Sequence, residues 1–274
     1  MIVKTLAENT SISECYGSEH GLSLYIETNK HKILFDVGAS GLFLQNAGKL
    51  GVNISDVDFL VISHGHYDHG GGLKVFLQEN DKAIVYLRKQ AFEKHYALYS
   101  NGRIEPISLD EDLKQHRQIV FTSDDYSICE GVRLFSNITQ KEPRPTSNSG
   151  LVTEHNGQMI NDSFTHEQSL VIEEDGKILL VTGCAHNGII NILEHFHELK
   201  GRMPDYVIGG FHLNSRASGG NENFDTIDRI SNYLMNTKTL CYTCHCTGIE
   251  PYKRLKSAMG DSINYLSAGS EITI

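Results

Sequence analysis

No stretch of this chain is apolar over the ~20 residues that a bilayer-spanning helix requires. The opening segment MIVKTLAENTSISE lacks the apolar core of a secretion signal. A cytoplasmic protein with no membrane partner is therefore expected. No run of lysines and arginines offsets the formal net charge of −10, so the chain repels a phosphate backbone and no nucleic-acid partner is expected. P-loops and serine-nucleophile motifs are absent, and GASGLF is too short and lacks the third glycine of a dinucleotide fingerprint. No linker divides the 274 residues, which read as one domain, 1–274. No motif fixes an oligomeric state.

What is present in excess is histidine, fourteen residues of it. Apolar runs of strand length recur at 22–26, 33–35, 59–62, 84–87, 132–135, 170–172, 178–181 and 206–208. Helical spacing appears at 73–78, 90–98, 189–199, 224–235 and 251–259, the last with Pro251 at a plausible first helical position. Strands and helices interleave without strict alternation, which predicts a layered α/β protein with mixed sheets. The stretch NITQKEPRPTSNSG (137–150) reads either as a lid or binding loop or as a surface excursion.

Three histidines and an aspartate crowd into VISHGHYDHGGG (61–72), behind an apolar run and ahead of three glycines. His64 and His66, alternate residues on extended backbone, can point the same way, with Asp68 and His69 one turn further on. Neutral imidazole with carboxylate suits zinc, one or two ions, with iron, manganese or magnesium as alternatives. An internal echo joins DFLVISHGHYDHGGGL to KILLVTGCAHNGIINIL: strand, small residue, histidine, glycine, then helix. Two such units packed as halves would bring both loops to one point.

Six cysteines in a reducing compartment read as thiols or ligands rather than disulfides. Cys241-x-x-Cys244-His245 has the form of a haem attachment, but that attachment is made outside the cytosol. A zinc ribbon would need a second cysteine pair, which the chain lacks.

His64-x-His66-x-Asp68-His69 after a buried strand resembles the signature of the metallo-β-lactamase fold superfamily. The resemblance implies an αββα sandwich of two mixed β-sheets flanked by helices, with a two-metal centre at one sheet edge. It implies that Asp36, in KILFDVG, orients a ligand histidine, and that His245 is the final ligand. It also implies a third histidine for the first ion, for which His186 is favoured over His166. Cys184 stands where the bridging aspartate is common; it is either a bridging thiolate or a small buried residue. Within the superfamily EHGLSLYIET, TGCAHNGIINIL, GGFHL and CHCTG look like a subgroup that includes an archaeal dihydropterin–aminobenzene phosphate synthase. His20 and His212 fall in these phrases and are expected to line the pocket.

The implied function is a metal-dependent enzyme, with Asp68 catalytic, acting on a small phosphorylated or pterin-like substrate. In that reaction diphosphate leaves a dihydropterin methyl group as an aromatic carbon attacks. A hydrolase of an ester, lactone, thioester or phosphodiester is the alternative, and a non-catalytic metal-binding or sensing protein is a third. Arg144, Arg216 and Lys253 are the cations available for a substrate phosphate.

Overall fold

A computed structural model describes residues 1–215 and 217–274. Two seven-stranded sheets form its centre. The first runs in the order Glu271–Thr273, Ile2–Ala7, Ser23–Glu27, Lys32–Phe35, Phe59–Val61, Ile84–Leu87 and Ile119–Phe121. The second runs Ile263–Tyr265, Leu240–Thr243, Tyr206–Gly209, Lys177–Val181, Gln168–Glu174, Val132–Ser136 and Asp125–Cys129.

Alternation along each strand builds the layers, because successive side chains leave opposite faces. Ile33 and Phe35 pack inward with Leu170, Leu179, Val181 and Ile208 to fill the space between the sheets. Leu34 points the other way, into a cluster with Phe43 and Phe76 of the helices Leu42–Lys49 and Leu73–Glu79. On the far side, Leu180 and Val207 meet Ile192, Leu193, Ile230 and Leu255 of the helices Ile189–Lys200, Phe224–Thr237 and Ile249–Met259. The result is the helix–sheet–sheet–helix stack the sequence led us to expect. Among the described residues no helix is long and apolar enough to cross a membrane.

All eight expected strands form, with ends shifted by a residue or two. The helix expected over 90–98 does not. A single 3₁₀ turn, Lys89–Phe92, gives way to a strand, His95–Leu98, which joins Ile104–Pro106, Leu151–His155 and Gln158–Asn161 in a separate four-stranded sheet. Pairing of Ala97 with Leu151 and Glu105 outweighs the local helical spacing. Pro251 also lies two residues into its helix, which starts at Ile249.

Parallel strands decide where the chemistry sits. Lys32–Phe35 and Phe59–Val61 run parallel, as do Lys177–Val181, Tyr206–Gly209 and Leu240–Thr243. Their carboxyl ends therefore open onto a common edge, the usual ligand position in such sheets.

Candidate metal centre

Each of those five strands ends just before a candidate site residue: Asp36, His64, Cys184 with His186, His212 and His245. The turns are tight, and Asp36, Ala185, His212 and His245 all hold left-handed backbone, φ 60°, 56°, 48° and 50°. Such residues cost ~1–3 kcal/mol each and persist where the surrounding structure fixes them. Gly183 lets the two halves close, since a Cβ there would strike the Ser63 hydroxyl. The internal echo thus has its geometric consequence: the loops after Phe59–Val61 and Lys177–Val181 meet.

Two clusters result. In the first, His64 Nε2 lies 3.1 Å from His66 Nδ1 and 3.3 Å from His186 Nε2. In the second, His69 Nε2 lies 3.2 Å from His245 Nε2, while Asp68 Oδ2 is 3.2 Å from His245 Nε2 and 3.3 Å from His20 Nε2. The Cys184 thiol stands between them, 3.1 Å from His69 Nε2 and grouped with ligand atoms of both His64 and His186.

The outward nitrogen of each ring fixes its tautomer. His69 Nδ1–H donates to Asp36 Oδ2 at 2.6 Å and His245 Nδ1–H to Asn9 Oδ1 at 2.8 Å. His186 Nδ1–H donates to Asn148 Oδ1 at 2.9 Å. His64 Nδ1–H donates to Ser63 Oγ at 2.8 Å, because that hydroxyl is already committed to Asp36 Oδ2 at 2.7 Å. Four Nε2 lone pairs therefore face inward on one another. Lone pairs at such distances repel, and a cation between them removes the conflict, so this donor set fits divalent metal ions.

The electrostatics agree. Burial, and then neighbouring imidazoles, hold His64 and His186 well below the usual histidine range; burial with His166 and His95 does the same for His66. These rings stay neutral, as ligands must. Burial also opposes a charge on His69, but Asp36 and Asp68 outweigh it and lift its pKa to about 9, a proton taking the position a cation would otherwise hold. Asp68 is kept ionised: burial opposes this, but His69, His245 and His20 hold its carboxyl well below the ordinary range.

His166 is not the third imidazole of the first cluster. Its Nδ1 accepts the Gly65 N–H at 2.9 Å and its Nε2 meets Asp162 at 3.1 Å, so it stands behind His66 in a buried group with His95. His20 and His212 do line the cavity. Cys244 and Cys246 part company: Cys244 packs between the sheets, whereas Cys246 faces the centre, where burial opposes ionisation but Cys184, His212 and His245 draw its thiol down. Arg144 and Lys253 do not reach the cavity. Arg144 bonds Asn187 at 2.8 Å and Lys253 pairs with Glu250 at 2.8 Å on the exposed side of its helix. Arg216 lies outside the described residues.

Several contributors carried no signal in the sequence. Glu8, fully buried on the first strand's exit, accepts the His245 N–H at 2.6 Å. Glu167 accepts the His186 N–H at 2.6 Å and the Asn187 N–H at 3.0 Å. Asn9, Asn148, His95 and Asp162 act at the same remove, and Glu167 and Asp162 are only visible as neighbours of His166.

A cavity of about 330 Å³ opens over the clusters. Its floor is His66, Asp68, Cys184, His186 and His245, and its apolar wall is Tyr67 together with Leu151 of the four-stranded sheet and Tyr99 and Ile107, which directly follow two of its strands.

The profile of the Metallo-beta-lactamase superfamily matches residues 16–196. The chain is 30% identical over 263 residues to the protein MJ0448 of Methanocaldococcus jannaschii, covering 93% of each. It is 29% identical over 288 residues to the same organism's 7,8-dihydropterin-6-methyl-4-(beta-D-ribofuranosyl)-aminobenzene-5'-phosphate synthase, covering 98% of this chain and 95% of that one. Among solved structures it resembles Tm1679, described as a metal-dependent hydrolase of the beta-lactamase superfamily, with a TM-score of 0.85 and 29% identity over 100% of this chain and 99% of that one.

Proposed function

Because the chain belongs to the metallo-β-lactamase superfamily, we propose that it is a metal-dependent enzyme joining a dihydropterin diphosphate to a phosphorylated arylamine. The observation that carries metal dependence is the set of inward-facing Nε2 lone pairs on His64, His69, His186 and His245. The resemblance to the synthase over nearly the whole chain supports the substrate class.

His64, His66 and His186 would hold one ion, and Asp68, His69 and His245 a second, with Cys184 between them. Divalent ions held there would supply Lewis acidity toward phosphoryl oxygens and a counter-charge for diphosphate. The chain's own residues do the rest. Tyr67, Tyr99, Ile107 and Leu151 offer a flat apolar wall against which a pterin ring packs out of water. Asp68, held ionised, faces His20 Nε2 and His245 Nε2 at the cavity floor. The arylamine nitrogen forms a bond to the pterin methylene carbon, the C–O bond to diphosphate breaks, and the amine proton passes to solvent.

The test supplies the metal-loaded protein with both substrates and follows diphosphate release together with the joined product. Release of diphosphate without a joined product would overturn condensation. The likeness to a metal-dependent hydrolase favours a second reading, in which water is the attacking group on an ester or phosphodiester. Oxygen-18 from solvent water enters the product only in that case.

A further inference from the structure

We infer that His212 is a substrate-binding donor, hydrogen-bonding a terminal oxygen of a phosphoryl group held in the cavity beside His186. This inference rests on the proposed phosphorylated substrate. His212 is only 6% exposed, yet among the described residues neither ring nitrogen has a hydrogen-bonding partner. His64, His69, His186 and His245 each have the outward nitrogen engaged by a protein oxygen. The polar neighbours of His212, Cys184 and Cys246, offer only thiols, weak partners for an imidazole; His212 helps draw the Cys246 thiol down, but at neither ring nitrogen does that contact reach ordinary hydrogen-bond geometry.

The ring is placed with care for a group left unpaired. Its backbone is left-handed, φ 48°, between Phe211 and Leu213, both fully buried under the second sheet's helices. The Phe211 N–H is pinned to Thr247 Oγ1 at 2.9 Å. The imidazole therefore leaves a fixed loop and faces the cavity, its centroid 4.2 Å from that of His186. A buried polar group kept without a partner on rigid backbone is the form taken by a ligand contact.

The choice of an oxyanion follows from what else the cavity offers. Among its described lining residues Arg103 is the one arginine or lysine, and its exposed guanidinium is spent on Glu105 at 3.3 Å and on the Tyr99 ring. The side-chain amides of Asn9 and Asn214 donate to the His245 carbonyl and to Asn221. His212 keeps its hydrogen-bonding capacity, and either nitrogen can carry the proton that a phosphoryl oxygen accepts.

The test is calorimetric binding of inorganic diphosphate to the full-length, zinc-loaded protein. His212→Phe keeps a ring of similar bulk without a donor, and His212→Gln restores a donor. Diphosphate affinity should fall about tenfold in His212→Phe, the loss of one hydrogen bond to a charged group, and recover in His212→Gln, with metal content equal in all three. If His212→Phe does not fold, His212→Asn, whose amide is too short to reach, carries the same expectation. Unchanged affinity in the donor-less variant overturns the inference, as does a wild type that ignores diphosphate. Failure of the parent proposal looks different: wild type binds diphosphate, the donor-less variant does not, and no condensed product forms.

Discussion

His186 Nε2 stands 3.3 Å from His64 Nε2, although 122 positions separate the two in the chain. Each leaves the carboxyl end of a strand in a different sheet, so their contact closes the two halves of the sandwich over one point. His166, nearer in sequence to His64, is instead spent on Gly65 and Asp162. Replacing His186 by Ala should therefore strip metal from the three-imidazole cluster by more than the ~10–100-fold that losing an outer partner costs. Replacing His166 by Ala should leave metal content within a few-fold of wild type. Elemental analysis after dialysis against a graded chelator separates the two, and equal losses would reverse the assignment.

Asp36 touches no inward-facing nitrogen, yet it governs one. Its carboxylate takes the His69 Nδ1–H at 2.6 Å, the Ser63 hydroxyl at 2.7 Å and the Ser63 N–H at 2.7 Å. Asp36→Asn keeps the shape but offers an amide where His69 needs an acceptor. Metal affinity at the Asp68–His69–His245 cluster should fall ~10–100-fold, with the fold retained by circular dichroism. Affinity unchanged in a chelator competition would remove Asp36 from the centre's support.

How much of this was legible beforehand depended on spacing. The run from His64 to His69 is local, so its chemistry could be read directly, and the echo at Cys184–His186 predicted a meeting that occurred. Asp36 and His245 were placed by resemblance to a known pattern. Glu8, Asn9, Asn148 and Glu167 were invisible because each acts through a backbone N–H or an outer ring nitrogen supplied by a distant segment. The four-stranded sheet was misread for the same reason. Its strand His95–Leu98 has helical spacing of its own, and only pairing with Leu151–His155 decides otherwise. Arg103 enters the cavity wall with that sheet, in place of Arg144 and Lys253.

Cys184 lies where a thiolate would join both clusters, its sulfur 3.1 Å from His69 Nε2. Loaded with cobalt, the wild type should show a sulfur-to-metal charge-transfer absorption that Cys184→Ser lacks, while Cys244→Ser, altered between the sheets, keeps it. The same spectrum from Cys184→Ser would make Cys184 a packing residue.

Tyr99 carries the outer part of the apolar wall, with the Arg103 guanidinium 4.2 Å over its ring. A flat aromatic substrate stacked there loses contact when the ring is removed. Tyr99→Ala should raise KM about threefold to tenfold with kcat little changed, since the lost interaction holds substrate and transition state alike. A fall in kcat at constant KM would place Tyr99 nearer the reacting atoms than this wall position allows.

Asp162 shows how the buried histidines behind His66 are held. Only 7% exposed, its Oδ2 lies 3.0 Å from His95 Nδ1 and 3.1 Å from His166 Nε2. Burial alone would raise its pKa, but the two imidazoles outweigh it and keep the carboxyl far below the ordinary range. A depressed folded-state pKa means the carboxylate's stabilisation is fully present above the unfolded value, near ~4, and is lost as pH falls below it. Asp162→Asn removes the charge at nearly constant shape and takes the ionised acceptor away from His95 Nδ1 and His166 Nε2. At pH 7 it should destabilise the protein by ~2–3 kcal/mol, the cost of losing a buried hydrogen bond to a charged group. The gap between variant and wild type should hold down to about pH 5 and then narrow as wild type surrenders the same interaction to protons. Urea midpoints for both proteins across pH 3 to 7 measure this directly. A gap that stays constant to pH 3 would mean that Asp162 supports His95 and His166 as a neutral hydrogen-bonding group, not as a buried anion.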